Sequence, residues 1–256
     1  MNNSIIKFIG TGSGKTSLKR YHSAFLISHK GYTLLVDAGD GISKAILSQK
    51  IPFSSINGIL LTHLHPDHYT GLASLIVQMK LTGRNNSLQI IVHKKLKKVI
   101  ENYLLSSYLL KERMNFKLFI ETFDHNKSFK LNDSFSFIGK QNSHLNKYKE
   151  YSSANELNFL SSSILFGIDE KHIFYTGDVG KKEDLYLFKS HKSDIIISEV
   201  THVSIEDLLE ALTHLKPEKL YLNHISDETE HFLAQKKSFL KQHNITAVVD
   251  GFTIKI

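Results

Sequence analysis

Short runs rich in β-branched and aromatic residues alternate with amphipathic stretches along the whole chain. Runs of about four to eight such residues bounded by Gly, Asn, Asp or Ser read as strands, and apolar residues three and four apart read as one face of a helix. The pattern predicts strands over residues 5–10, 22–28, 32–38, 56–62, 88–93, 116–123, 135–139, 162–167, 172–176, 194–199, 219–223 and 246–256. Helices are predicted where Leu72, Leu75, Ile76 and Met79, and again Leu208, Leu209, Leu212 and Leu215, recur at helical spacing. A basic helix over 95–110 and another over 229–242 complete the set. Ser204 can cap the helix after it, with Asp207 in the reciprocal third position, and Pro217 stops that helix. Strands and helices interleaved in this way make a layered α/β protein whose helices cover sheet faces.

Composition narrows the chemistry. At 256 residues, with 41% hydrophobic and 22% charged side chains and three prolines, the chain suits one folded domain over 1–256 with little room for a disordered arm. Cysteine is absent, so disulfides, thiolate ligands and cysteine nucleophiles are excluded, and any metal must be held by His and carboxylate. No run approaches the roughly 18 apolar residues of a membrane span, and the start of the chain has no signal-peptide pattern. The expectation is a cytoplasmic protein with no membrane partner. Lys and Arg exceed Asp and Glu by 32 to 25, a net charge of +7 that favours anionic ligands. Lysines such as Lys94, Lys95, Lys97 and Lys98 are equally what a solvated helix face shows, so charge alone does not establish nucleic-acid binding.

The sharpest signal is Thr62-His63-Leu64-His65-Pro66-Asp67-His68. Residues two apart on an extended segment point to the same side, so the imidazoles of His63 and His65 can converge on one ion. Pro66 keeps His65 extended and suits a first helical position, which sends Asp67 and His68 out at a helix start facing a second ion. Further candidate ligands, His144, Asp178 and His224, stand near the ends of later strands. Gly10-Thr11-Gly12-Ser13-Gly14-Lys15-Thr16 looks like a phosphate-binding P-loop but has three residues between Gly10 and Gly14 where that motif needs four. It is expected to be a Gly-rich turn.

The order Asp37, His63-x-His65-x-Asp67-His68, His144, Asp178, His224 resembles the five-motif signature of the metallo-β-lactamase superfamily over nearly the whole chain. The resemblance implies an α/β fold of the four-layer αββα sandwich type. It also implies two divalent ions per chain, Zn²⁺ or Mn²⁺: His63, His65 and His144 on the first, Asp67, His68 and His224 on the second, and Asp178 bridging. Asp37 matches the carboxylate that orients ligands in that superfamily. Phe8 to Gly14 and Arg20-Tyr21-His22-Ser23-Ala24 resemble the opening of ribonuclease Z and its phosphodiesterase relatives, and Asn223-His224-Ile225-Ser226 resembles their last metal motif. Glu199-x-x-His202-x-Ser204 is similar to their proton-donating Glu and His pair, at a compressed spacing.

One departure bears on the substrate. Ribonuclease Z enzymes project a long Gly/Pro-rich arm between the second and third metal motifs to grip tRNA, whereas residues 88–135 read here as plain strand, helix and strand. The expected substrate is therefore a small anionic phosphodiester, a cyclic nucleotide or a related nucleotide, attacked by hydroxide made on the metal pair. Asp67, Glu199 and His202 are the expected catalytic residues: Asp67 to orient the nucleophile or take its proton, and His202, held by Glu199, to protonate the leaving alkoxide. RNA, as a tRNA 3′-end substrate, stays open as the alternative, and thioester, lactone or β-lactam hydrolysis shares the same ligands. A homodimer is the expected assembly. Residues 145–160 are a candidate loop over the ligand, with Tyr148 or Tyr151 to stack on a base.

Overall fold

The computed structural model describes residues 4–151 and 157–256. The chain divides into two units, Met1–Asp124 with Val249–Ile256, and His125–Val248. Each is built on one seven-stranded mixed sheet.

In the first unit β1 (Ile5–Gly10), β2 (Ala24–His29) and β3 (Tyr32–Val36) form an antiparallel meander, with the C-terminal strand Thr253–Lys255 on the outer side of β1. Lys30 and Gly31 turn the chain between β2 and β3, both at positive φ, 44° and 79°. Two such residues give the turn whose twist matches paired strands. Helix α1 (Ile42–Ser48) then leads to β4 (Gly58–Leu60), α2 (Pro66–Tyr69), α3 (Leu72–Leu81), β5 (Leu88–His93), α4 (Lys97–Ser106) and β6 (Leu118–Phe123). Strands β3 to β6 are parallel neighbours. Ile6, Phe8, Phe25, Leu34, Ile59 and Ile90 are buried, at about 1.5–3 kcal/mol of transfer free energy for each large side chain. Arg84 is buried too, its guanidinium donating to the carbonyls of Phe53, Ile56, Asn86 and Ser87 while burial pulls its pKa down to about 10.

The second unit repeats the plan. Strands β7 (Ser128–Asn132), β8 (Phe135–Gln141), β9 (Ser162–Ile168) and β10 (Lys171–Tyr175) run antiparallel. From β10 the sheet continues in parallel through β11 (Ile195–Glu199), β12 (Lys219–Asn223) and β13 (Ile245–Ala247), with α5 (Ile205–Leu215), α6 (Asp227–Gln235) and α7 (Lys237–Gln242) in the connections. The reciprocal cap at α5 is present: Ser204 Oγ accepts from the Asp207 amide and Asp207 accepts from the Ser204 amide.

The expected elements differ from these in several places, and helix α1 (Ile42–Ser48) was not expected at all. The strand expected over 246–256 is two strands in different sheets, parted by a turn with Gly251 at φ 86°. The helix expected over 229–242 breaks at Lys236, and the basic helix ends at Ser106. Strand β7 was not expected, because Ser-Phe-Lys-Leu-Asn is short, has no fully buried residue and lies on a sheet edge. Beyond Gly14 the chain makes bends with no helix, so the P-loop likeness lacks the helix such a loop would open.

Candidate metal centre

In the first unit the site grows from the C-terminal ends of the parallel strands. Asp37 directly follows β3 and sits at φ 62°, a left-handed conformation that a non-glycine residue adopts at a cost. Its amide donates to Leu60 O, and its buried carboxylate accepts from the Thr62 amide at 2.8 Å and the Thr62 hydroxyl at 2.9–3.0 Å. That pins the exit of β4, so that His63 and His65 follow on fixed backbone. The His63 and His65 rings lie 4.9 Å apart edge to face, and His63 and His68 lie 4.1 Å apart. Pro66 opens α2, which presents Asp67 and His68 from its first turn, with His68 Nε2 3.4 Å from Asp67 Oδ2. A Cβ on Gly39 would stand 1.9 Å from Asp67 O, and one on Gly14 3.0 Å from Asp67 Oδ2. Both glycines let backbone close on Asp67.

The second unit uses the equivalent strand ends. Asp178 follows β10 through Thr176 and Gly177, the latter at φ 59°. His144 begins a 3₁₀ turn after β8, and His224 follows β12 at φ 53°. His144 Nε2 and His224 Nε2 stand 3.7 and 3.3 Å from Asp178 Oδ2, and all three side chains are buried. Glu199 ends β11 and is buried; its carboxylate accepts from the amides of Val179 and His202 and from His202 Nδ1 at 3.0 Å. That hydrogen bond raises the His202 pKa above its ordinary value, outweighing burial, which lowers it. The compressed spacing thus still joins the pair. The His202 ring lies 4.8 Å from that of His144.

Hydrogen bonding fixes which ring nitrogen each histidine can offer a cation. His68 Nδ1 donates to Asp37 at 2.8 Å, and His144 Nδ1 donates to Val179 O at 3.3 Å. The Thr62 hydroxyl spends its one hydrogen on Asp37 and so accepts from His63 Nδ1; the Thr201 hydroxyl spends its own on His224 O and so accepts from His224 Nδ1. Four rings therefore carry the proton on Nδ1 and present the Nε2 lone pair, as metal-binding histidines do when the other nitrogen is held by a partner. Buried imidazoles and carboxylates gathered without a cation would carry a large desolvation cost. The donor set fits Zn²⁺ or Mn²⁺. Thr62 and Thr201 were not singled out in the sequence: a threonine beside a ligand carries no signal until the fold shows where its hydroxyl goes.

Beside His144 and His202 lies a cavity of about 480 Å³ with Lys147 and Lys181 on its wall. Tyr148 and Tyr151, offered as stacking residues, are exposed in the 3₁₀ segment His144–Tyr151, and 152–156 of the expected loop lie outside the described residues.

A family model described as anti-Pycsar protein Apyc1 matches residues 4–246. The chain belongs to that family. The Apyc1 family is one of cyclic nucleotide phosphodiesterases and fits the ribonuclease Z-like branch anticipated from the motifs. A ribonuclease Z from Methanococcus aeolicus is 32% identical over 133 residues, 52% of this chain; the match spans 40% of that relative's length. Among solved structures, the metallo-β-lactamase fold protein YhfI from Bacillus subtilis superposes with a TM-score of 0.77 over 100% of both chains at 15% identity. The short form of human tRNase Z does so with a TM-score of 0.70 over 98% of both at 18% identity. At those identities the likeness establishes the fold: this Apyc1-family chain has the α/β metallo-β-lactamase fold that its motif order implied.

Proposed function

We propose that the chain is a metal-dependent phosphodiesterase acting on a small phosphodiester, a cyclic nucleotide or a related nucleotide. The match to the Apyc1 family across residues 4–246 carries this reading. In it, His63, His65 and His144 hold one divalent ion, Asp67, His68 and His224 hold a second, and Asp178 is shared. Such ions, Zn²⁺ or Mn²⁺, supply Lewis acidity and a water acidic enough to attack at phosphorus near neutral pH. Asp67, seated by Gly14 and Gly39, orients that water or takes its proton. His202, whose pKa is raised by its hydrogen bond to Glu199, delivers a proton to the leaving alkoxide from its place beside His144. The cavity next to His202 falls within the roughly 300–1,000 Å³ of small-molecule sites, and Lys147 and Lys181 suit an anion there. An acid held ready for an alkoxide favours a phosphodiester over a thioester, whose thiolate leaving group asks less of it.

The identity with a ribonuclease Z favours a second reading, tRNA 3′-end cleavage. Against it, residues 88–132 fold as β5, α4, β6 and β7 within the two sheets, in the stretch where an arm would be carried. A homodimer is part of the same proposal, and sedimentation of the metal-loaded chain checks it. The deciding experiment is steady-state hydrolysis of cyclic AMP, cyclic GMP and a 3′-extended tRNA with Mn²⁺ or Zn²⁺ at matched salt. Turnover of the cyclic nucleotides is expected. Site-specific cleavage of the tRNA with cyclic nucleotides untouched would overturn the proposal in favour of the processing nuclease.

A further inference from the structure

A buried carboxylate outside the ligand set ties together two loops of the second unit. Asp184 lies in the 3₁₀ turn Lys182–Tyr186, is 5% exposed, and points one oxygen at three donors. Its Oδ2 accepts from the Ser143 hydroxyl at 2.6 Å, the Ser143 amide at 3.1 Å and the Gly180 amide at 2.9 Å. Ser143 immediately precedes His144, and Gly180 comes two residues after Asp178. The loops meet at backbone distance: a Cβ on Gly180 would stand 2.5 Å from Ser143 O, closer than any side chain tolerates. His144 Nδ1 donates to Val179 O inside the same junction, so the ring orientation of one ligand depends on where the other ligand's loop sits.

We propose that Asp184 is a positioning residue for the metal site, setting the separation of His144 and Asp178 by holding Ser143 and Gly180 on one carboxylate oxygen. The inference rests on the ligand assignment proposed above. The physical case is the strength of the device. Hydrogen bonds to an ionised acceptor are about twice as strong as neutral ones, and three on one buried oxygen couple the two loops to each other. Partners hydrogen-bonded to a metal ligand typically change the ion's affinity by about 10- to 100-fold, and Asp184, acting through Ser143 and Gly180, belongs at the low end of that range. Asp178 is the shared carboxylate of the proposed pair, so loosening its loop weakens both ions together. Losing a contact to His144 alone would weaken one.

The test is titration of the zinc-loaded full-length chain with a chromophoric chelator, for wild type, Asp184→Asn and Gly180→Ala. Asp184→Asn removes the charge while keeping the shape; Gly180→Ala forces the same loops apart with Asp184 intact. Both are expected to release zinc at about 10-fold lower chelator concentration than wild type. Hydrolysis measured alongside should show kcat restored by saturating metal, which a variant with a merely weakened fold would not show. Should Asp184→Asn not fold, judged by circular dichroism, Gly180→Ala and the milder Ser143→Ala decide. Zinc affinity within twofold of wild type in the folded variants, even with a lowered melting temperature, overturns the inference while the ligand assignment stands. A wild-type chain that binds neither zinc nor manganese removes both.

Discussion

At the scale of single residues the site is a set of hydrogen bonds that decide where protons sit. Glu199 raises the His202 pKa, so the acid form survives to higher pH than a free imidazole would allow. Substrates with poor alkoxide leaving groups should lose turnover as pH rises through that elevated value, because the donor is then empty. Glu199→Gln lowers the pKa and should move this alkaline limb toward acid pH; a limb that does not move means His202 is not the titrating acid. His202→Ala should cost about 10²- to 10⁴-fold on such substrates and far less on a p-nitrophenyl ester, which departs without a proton. Equal losses on both would assign His202 to binding. Asp37 works by the opposite route: it accepts from His68 Nδ1 and so leaves Nε2 as the candidate ligand atom. An amide there can donate in place of accepting, so Asp37→Asn should lower metal affinity by about 10- to 100-fold, read as metal content after gel filtration.

At the scale of elements the two units follow one plan, an antiparallel meander feeding a parallel half-sheet, with candidate site residues at or just beyond the ends of β3, β4, β10, β11 and β12. Asp37 after β3 and Asp178 after β10 occupy equivalent strand ends, as do His63 beyond β4 and Glu199 at the end of β11. That placement explains how much was legible in the sequence. Strand interiors announce themselves by apolar runs, so β5 and β12 were read to the residue, and Ser204 with Asp207 marked the start of α5 from side-chain chemistry alone. The candidate histidine and aspartate ligands were legible as candidates because their types and spacing are rare together, and the structure brings them into two groups able to hold a cation. What the pattern does not encode is backbone conformation paid for by tertiary contacts: Asp37 and His224 at positive φ, the Thr62 and Thr201 relays, and Asp184 all depend on partners far along the chain. The cap offers a stability test. Ser204→Ala should cost about 1 kcal/mol and lower the melting temperature by about 2–4 °C for a chain of this size. An unchanged melting temperature would mean that α5 draws its stability from packing of Leu208 and Ala211 alone.

At the scale of the whole molecule the net charge of +7 acts on any anion that approaches, and its salt dependence separates the two proposed substrates. A ligand held through Z phosphates releases about that many counterions, so log affinity falls with log salt at a slope near −0.9 times Z for duplex and −0.7 times Z for single strands. A cyclic nucleotide presents one phosphate. Its kcat/KM should fall with a slope of about one or less between 50 and 200 mM salt, on the order of a threefold loss. A tRNA gripped along its body needs several contacts and would lose on the order of a hundredfold or more over the same range. Among the described residues the lysines beside the candidate acid are Lys147 and Lys181, on the wall of a cavity sized for one small ligand. Neutralising both, as Lys147→Ala with Lys181→Ala, should raise KM for a cyclic nucleotide severalfold, leave kcat within about twofold, and flatten the salt slope, since these charges bind the anion but do not transfer its protons. The measurement is a set of initial rates on cyclic AMP at four salt concentrations for wild type and the double variant. A kcat loss with KM unchanged would place the lysines in the chemical step. A slope for cyclic AMP much steeper than one would mean that salt acts on the protein itself and not through the ligand's single phosphate.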